Sequence, residues 1–323
     1  MRATSRDPAQ PAGQDWYEWT VPAQDDLLRL DSFLVRRLPG VSRRAVGALI
    51  KAGHVCLNRG LGKKGSRVRS GDRIRAQVQL SLRPSPSLPV RLVYAQGAVL
   101  GLDKPPGLPS VALRLSDTHT VANYLAAHYP ETTLSSLSSR APLEAGVVHR
   151  LDTPTSGLLL AARTAAAYTA LRAQFSDRRI VKDYLAWVHG QPSGRELDGS
   201  RRFFLMPEGR RGQRMRVVMA ERGLDPRQRA QEAMSTYTCL ETRAGYSLIR
   251  VRLHTGVRHQ IRAHLAALGY PLVGDTHYGA PAGASRLALH AEALRFVHPE
   301  TGQSVRLFSP AGQDFRPEEN GLC

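Results

Sequence analysis

Val147-Val148-His149-Arg150-Leu151-Asp152-Thr153-Pro154-Thr155-Ser156-Gly157-Leu158-Leu159-Leu160-Ala161-Ala162 sets two apolar runs on either side of a polar stretch that cannot itself be core. Pro154 fixes its own φ, and Gly157 tolerates backbone conformations that other residues avoid, so the chain turns after Asp152. The Asp152 carboxylate is therefore expected on a rigid loop at the end of a strand. No Gly-x-Ser-x-Gly spacing surrounds Ser156, which excludes a nucleophile elbow of the α/β-hydrolase kind. Taken alone, an aspartate ahead of Thr-Pro-Thr-Ser-Gly reads more readily as a turn residue or helix cap than as a catalyst. The surrounding chain has to decide.

Downstream, Ile180 to Gly190 alternates like a strand, with Tyr184 and Ala186 on one face. Tyr246 to Leu253 alternates again and runs into His254-Thr255-Gly256-Val257-Arg258-His259-Gln260-Ile261-Arg262-Ala263-His264-Leu265. After Gly256 the spacing becomes helical: Ile261, Leu265 and Leu268 face a core, and Gly269 closes the helix. Arg258 and Arg262, four apart, then share a helix face suited to pairing with anions. His259 and His264, five apart, are poorly placed to ligate one metal ion, and no His-Glu-x-x-His is present. Zinc is not expected. Upstream, Val90 to Leu102 contains short β-rich runs, and Asp103 to Leu108 must turn.

Leu82 to Pro89 carries three prolines in eight residues and reads as a linker over 81–89. Before it lies a small basic segment, residues 25–80, with 13 Lys and Arg against 4 Asp and Glu. An amphipathic helix is expected from Asp26 to Leu38, ended by Pro39-Gly40, and a second runs to Ala52 with Ser42 as N-cap. Val46, Leu49 and Ile50 form the apolar face of the second helix, whereas Arg43, Arg44 and Lys51 lie away from it. Basic strands follow. Such a surface holds phosphates and reads little sequence. Residues 1–24, with Trp16, Tyr17 and Trp19, read as an extended arm laid on another element.

The chain has 323 residues, about twice the usual ~150 per domain, so two domains are expected. A net charge of +18 makes a polyanion the default partner. Much of that excess sits in residues 25–80 and in the arginine-rich stretch 201–229, to which no element is assigned. Neither a membrane-spanning run nor a secretory signal is visible, and Cys56, Cys239 and Cys323 suit buried thiols in a reducing cytoplasm. No exposed apolar repeat suggests self-association, so a monomer without an obligatory protein partner is expected.

Four blocks together resemble the RluA-type pseudouridine synthases, which isomerise selected uridines in RNA. They are His149-Arg150-Leu151-Asp152 with Thr155-Ser156-Gly157; Lys182-Asp183-Tyr184-Leu185-Ala186; Thr255-Gly256 with His259 to His264; and Gly269 to Asp275 with Tyr278-Gly279. Lys104-Pro105-Pro106-Gly107 and Leu289-His290-Ala291 add to the match, which spans about Val90 to Leu307. Leu27 to Ala76 is similar to the small RNA-binding domain named after a small-subunit ribosomal protein.

The resemblance implies an α+β fold. A small helical-hairpin RNA-binding domain would precede a catalytic domain, residues 90–323, with a mainly antiparallel mixed sheet, flanking helices and a central cleft. It implies Asp152 as nucleophile or base, Arg262 as its charge partner and Tyr184 as the ring beside the uracil. Arg150 would fill the space left by an everted base, with His149, Thr155 and Arg258 contributing to RNA binding. One departure is visible: the family usually has arginine directly after Thr-Gly, where this chain has Val257. The reaction needs no metal, redox agent or nucleotide, so no cofactor is expected, and ribosomal or transfer RNA is the expected partner. Two other readings stay open: a noncatalytic RNA-binding module, and a different base-modifying enzyme or nuclease.

Overall fold

A computed structural model describes residues 15–38, 41, 43–78, 82–134, 141–192, 197–209, 213–218, 230–281 and 283–317. Contacts divide the chain into two units, 1–87 with 111–146 and 88–110 with 147–323. Pro39-Gly40, Ser42, most of the N-terminal arm and Cys323 lie outside the described residues.

In the first unit, strands β1 (Asp15–Thr20), β2 (Val55–Leu57), β3 (Gly60–Leu61) and β4 (Arg73–Val78) pair in the order β1-β4-β2-β3. Helices α1 (Leu30–Arg37) and α2 (Arg43–Lys51) share one core with this sheet, built from Phe33, Leu34, Val46, Ile50, Val55 and Ile74. The basic segment is thus a sheet carrying two helices. Residues 15–20, read from sequence as part of an arm, form an edge strand registered with Arg73–Val78. Helix α1 starts four residues later than expected because Leu27 adopts φ 59° and the Leu27 N–H donates to the Val68 carbonyl at 2.8 Å. Asp25 is buried and accepts from Arg36 and Arg37 at 3.1 and 2.7 Å, so part of the unit's positive charge is neutralised internally.

The same unit contains α3 (Val121–His128) and α4 (Ala141–Glu144). Asn123 donates to the Arg83 carbonyl at 2.8 Å, and the Ser85 N–H donates to the Asn123 carbonyl at 3.1 Å. Part of the proline-rich stretch read as a linker is therefore fastened to a helix.

The second unit is built on a ten-stranded sheet. Its strands are β5 (Arg91–Gln96), β6 (Val99–Lys104), β7 (Ser156–Ala162), β8 (Val181–His189), β9 (Gly199–Glu208), β10 (Arg214–Val218), β11 (Gln231–Arg243), β12 (Tyr246–Leu253), β13 (Leu289–Val297) and β14 (Ser304–Phe308). The order is β10-β9-β11-β12-β8-β13-β7-β6-β5, with β14 also on β13. All pairs are antiparallel except β7 with β13. Helices α5 (Ala165–Ser176) and α6 (Gln260–Ala267) flank the sheet. Every residue of β7 is buried, and each of Leu158, Leu159 and Leu160 contributes about 2 kcal/mol by leaving water.

The parallel contact is short, His290 opposite Ser156 and Ala291 opposite Gly157. Gly157 has φ 109°, and a Cβ there would run into the Ala291 backbone, so only glycine admits this approach. The arginine-rich stretch left unassigned from sequence supplies most of the β9–β10 hairpin, while residues 210–212 and 219–229 lie outside the described residues. No helix is long and apolar enough to cross a membrane among the described residues.

Candidate active site

Asp152 stands on a loop that leaves and re-enters the sheet beside β7. Val147 bridges Ala161, and the Val148 N–H donates to the Leu160 carbonyl at 3.1 Å. Where the backbone ladder stops, His149 extends it: its Nε2 accepts the Leu160 N–H at 3.0 Å, and its ring packs 4.6 Å from Phe175. Burial pushes the His149 imidazole down to about 3, which keeps Nε2 an acceptor. The side chain expected to meet RNA therefore braces the loop from within.

Backbone anchors fix the rest of the loop. Ser110 Oγ accepts from the Leu151 N–H and donates to the Leu151 carbonyl, both at 3.0 Å. The Thr153 carbonyl accepts from the Gly107 N–H at 2.9 Å and from Lys104 Nζ at 3.0 Å. Lys104 is wholly buried and also donates to the carbonyls of Pro105 and Leu108. Burial pushes its ammonium down to about 7, opposed by the Asp152 charge, and three carbonyls match the three protons of the charged form. Leu151 and Thr153 are held on both sides of Asp152, whose side chain stays 24% exposed and reachable.

Arg262 Nη1 lies 3.5 Å from Asp152 Oδ2. Its stronger partner is Asp275, which accepts from Nε and Nη2 at 2.7 Å each. Burial works against the guanidinium charge, but the hydrogen bonds and charge of Asp275, with Asp152, hold its pKa above the ordinary value. The Tyr278 ring lies 5.2 Å from the Arg262 Cζ. The Tyr278 hydroxyl accepts the Met215 N–H at 2.8 Å and sits 3.0 Å from His259 Nδ1. If the phenol gives its own proton to Nδ1, the ring proton of His259 resides on Nε2, 3.9 Å from Asp152 Oδ2. His259 adopts φ 55°, a conformation uncommon outside glycine, directly before α6.

That turn corrects the expectation for Arg258. Helix α6 begins at Gln260, so Arg258 precedes it and does not share a helix face with Arg262. Arg258 is exposed and extends toward the Arg214 carbonyl at 3.4 Å, while Val257 packs among Leu205, Met215 and Ala233. Gln260 is buried and fully used: its carbonyl accepts from Thr255 Oγ1 and the Val257 N–H, and its amide donates to Met234 and Ser235.

Tyr184 is buried in β8 between Val251 and Ala291. Burial, and secondarily the Asp152 charge, pushes its phenol up, so it keeps its proton at neutral pH. Arg150 is exposed beside the loop, whereas Thr155 is 2% exposed with a hydroxyl that has no hydrogen-bond partner among the described residues. Arg43, Arg44 and Lys51 all lie exposed on α2 of the other unit. Ser156 Oγ sits 2.9 Å from His290 Nδ1 and accepts from Arg286, tying β7 to β13 below the loop. No three His, Cys, Asp or Glu side chains gather as a metal site among the described residues.

The structure thus brings Asp152 and Arg262 together and sets Tyr184 within the field of the same carboxylate. Asp275, Tyr278 and Lys104 join them without having been singled out from sequence, and so does His259, which the sequence raised only as an unsuitable metal ligand. Their signal was present only as motif membership, in Gly274-Asp275, His259-Gln260, Tyr278-Gly279 and Lys104-Pro105.

The family described as RNA pseudouridylate synthase matches residues 98–267, and the S4 domain matches residues 28–74. An uncharacterized RNA pseudouridine synthase of Mycobacterium bovis is 34% identical over 311 residues, covering 92% of this chain and 96% of that protein. The ribosomal large subunit pseudouridine synthase D of Xanthomonas campestris is 32% identical over 328 residues, covering 95% and 93%. Among solved structures, Human RNA Pseudouridylate Synthase Domain Containing 4 shares the fold, with a TM-score of 0.53 and 22% identity over 69% of this chain and 89% of that one.

Proposed function

The chain belongs to the RNA pseudouridylate synthase family, and from that premise we propose that it isomerises specific uridines of ribosomal RNA with Asp152 as the catalytic carboxylate. The observation that carries this reading is a partly exposed carboxylate on a loop anchored at both neighbours, 3.5 Å from an arginine already neutralised by Asp275. A guanidinium shared this way faces the Asp152 carboxylate without closing on it as a tight pair. The carboxylate then serves as nucleophile or base at the uridine while the glycosidic bond to N1 breaks, the uracil turns, and C5 joins the sugar. The C5 proton leaves at the end.

Tyr184 supports the same reading. A buried, protonated phenol offers a ring for the uracil and a hydroxyl that relays the C5 proton. Eversion of the base costs a few kcal/mol, and the exposed Arg150 guanidinium would offset it by occupying the vacated space. The Nε2–H dipole of a neutral His259 would orient the carboxylate. Arg43, Arg44 and Lys51 on α2 would hold phosphates and supply affinity. Ribosomal RNA is favoured over transfer RNA because several relatives are named as ribosomal large subunit pseudouridine synthase D.

The test is release of tritium from RNA labelled at uridine C5, comparing wild type with Asp152→Ala and Asp152→Asn. Wild-type release with none from either variant is expected. Release retained in both would remove Asp152 from the chemistry, and no release from wild type on any RNA would favour a noncatalytic RNA-binding module.

A further inference from the structure

The face of the sheet opposite Tyr184 carries a second basic feature. Successive strand residues point to opposite sides, so Asp183 lies behind the sheet when Tyr184 lies in front. Behind it, Val181, Asp183, Arg252, Ala293, Arg295 and Arg306 line a hollow of about 280 Å³. Arg252 is spent on Asp183 through two hydrogen bonds, at 2.8 and 3.1 Å. Arg295 and Arg306 are not: both are exposed, and neither has an ion pair among the described residues. They stand directly across from each other in the β13–β14 register. Like charges in that position destabilise a strand pair unless an anion sits between them. Two residues along β14, Phe308 is 54% exposed opposite Ala293, on the same face as Arg306.

We propose that this hollow is a second RNA-contact site, in which Arg295 and Arg306 clasp a backbone phosphate of an unpaired stretch and Phe308 stacks on a neighbouring base. The pattern is a phosphate clamp beside a sequence-tolerant aromatic platform, as single-stranded RNA requires. It reads no sequence and takes no part in the chemistry, because the reacting uridine is engaged on the other face. It would hold substrate RNA that continues past the reacting nucleotide around the edge of the sheet. The proposal rests on an RNA substrate and not on the role of Asp152.

The test measures fluorescence anisotropy of a labelled 30-nucleotide oligouridylate between 50 and 200 mM KCl. Each single-stranded phosphate contact contributes roughly 0.7 to the slope of log affinity against log salt. R295A/R306A is expected to flatten the slope by about 0.7, the share of the one phosphate the pair clasps, and to weaken binding at low salt at least about fivefold. Phe308→Ala should weaken binding with the slope unchanged. R114A/R316A removes the same charge from exposed positions elsewhere and should change neither. A wild-type slope in R295A/R306A, or the same change in R114A/R316A, overturns the proposal. So does loss of inorganic phosphate binding with oligouridylate binding intact, which would make the occupant a small anion. Urea midpoints guard against misfolding: removing opposed arginines should not lower them, and a fall would assign the pair to the fold. Tritium release at saturating RNA should be unaffected in R295A/R306A. If wild type releases none, the catalytic reading fails while the salt comparison still stands.

Discussion

Asp275→Asn and Asp152→Asn each remove one negative charge beside Arg262, and their effects should fall on opposite properties. Asp275 has a fully buried side chain and meets the guanidinium twice at 2.7 Å. An asparagine there keeps one acceptor but turns an NH2 group toward a guanidinium N–H, and it leaves a buried cation short of its main counter-charge. Losing one partner of a buried pair costs about 3–5 kcal/mol. Part is recovered because Asp152 stays 3.5 Å away, a distance at which unit charges attract by roughly 4–5 kcal/mol in a protein-like dielectric before desolvation. A net loss of about 2–3 kcal/mol is expected. At a urea slope of about 2–3 kcal/mol/M the midpoint falls by about 1 M. Asp152, 24% exposed with Arg262 at 3.5 Å and His259 at 3.9 Å, should give less than about 1 kcal/mol when changed to asparagine.

Trp187, buried in β8, reports this unit by fluorescence once Trp16 and Trp19 of the other unit are replaced by phenylalanine. In tritium release the order reverses. Asp152→Asn should abolish turnover, whereas Asp275→Asn should lose about 10- to 100-fold as Arg262 closes on Asp152 and shifts it. A smaller midpoint shift for Asp275→Asn than for Asp152→Asn would refute the view that Asp275 carries Arg262.

Gly157→Ala should cost more than about 3 kcal/mol in thermal or urea unfolding, because its Cβ meets the Ala291 backbone, whereas Gly107→Ala, with φ 80° and open space, should cost only about 1 kcal/mol. His149 has a folded pKa of about 3 against an ordinary 6.5, so the unfolded chain binds the extra proton and stability falls as pH drops from 6.5 toward 3. His149→Gln should remove about 1.4 kcal/mol per pH unit of that slope, read from urea midpoints between pH 7.5 and 4.5; equal slopes in both proteins would contradict the buried neutral ring. Tyr184→Phe keeps the ring and should bind RNA normally while slowing tritium release; equal release would take the hydroxyl out of proton transfer. Replacing Arg43, Arg44 and Lys51 together with alanine should weaken RNA binding and flatten its salt dependence by roughly 2–3 in log–log slope, with turnover at saturating RNA preserved.

Local signals in the sequence located the strands that carry the site. Alternation marked β8 and β12, and Pro154 with Gly157 marked the loop that holds Asp152. What local signals could not show was made by distant residues. The arginine that pairs with Asp152 was legible, but the bond that holds it comes from Asp275, buried by packing alone. Lys104 looked like a turn residue because two of its acceptors, Pro105 and Leu108, belong to that turn, while the one that ties it to the Asp152 loop, Thr153, is 49 positions away. Helical periodicity after Gly256 hid the left-handed turn at His259, since backbone handedness leaves no trace in a 3.6-residue pattern. The β9–β10 hairpin escaped because its arginines mask the alternation of Phe203 and Leu205, both buried.

The two-residue parallel contact between β7 and β13 has a consequence for biosynthesis. Ser156 and Gly157 meet residues 134 positions later, and the hydrogen bonds that seat Ser156 come from Arg286 and His290. While a ribosome is still making the chain, the Asp152 loop has its own strand but lacks the neighbour that fixes its base. Contacts so far apart in sequence form late. The loop that carries Asp152 therefore gains the support beneath it only after β13 has cleared the exit tunnel, long after its own strand has been made.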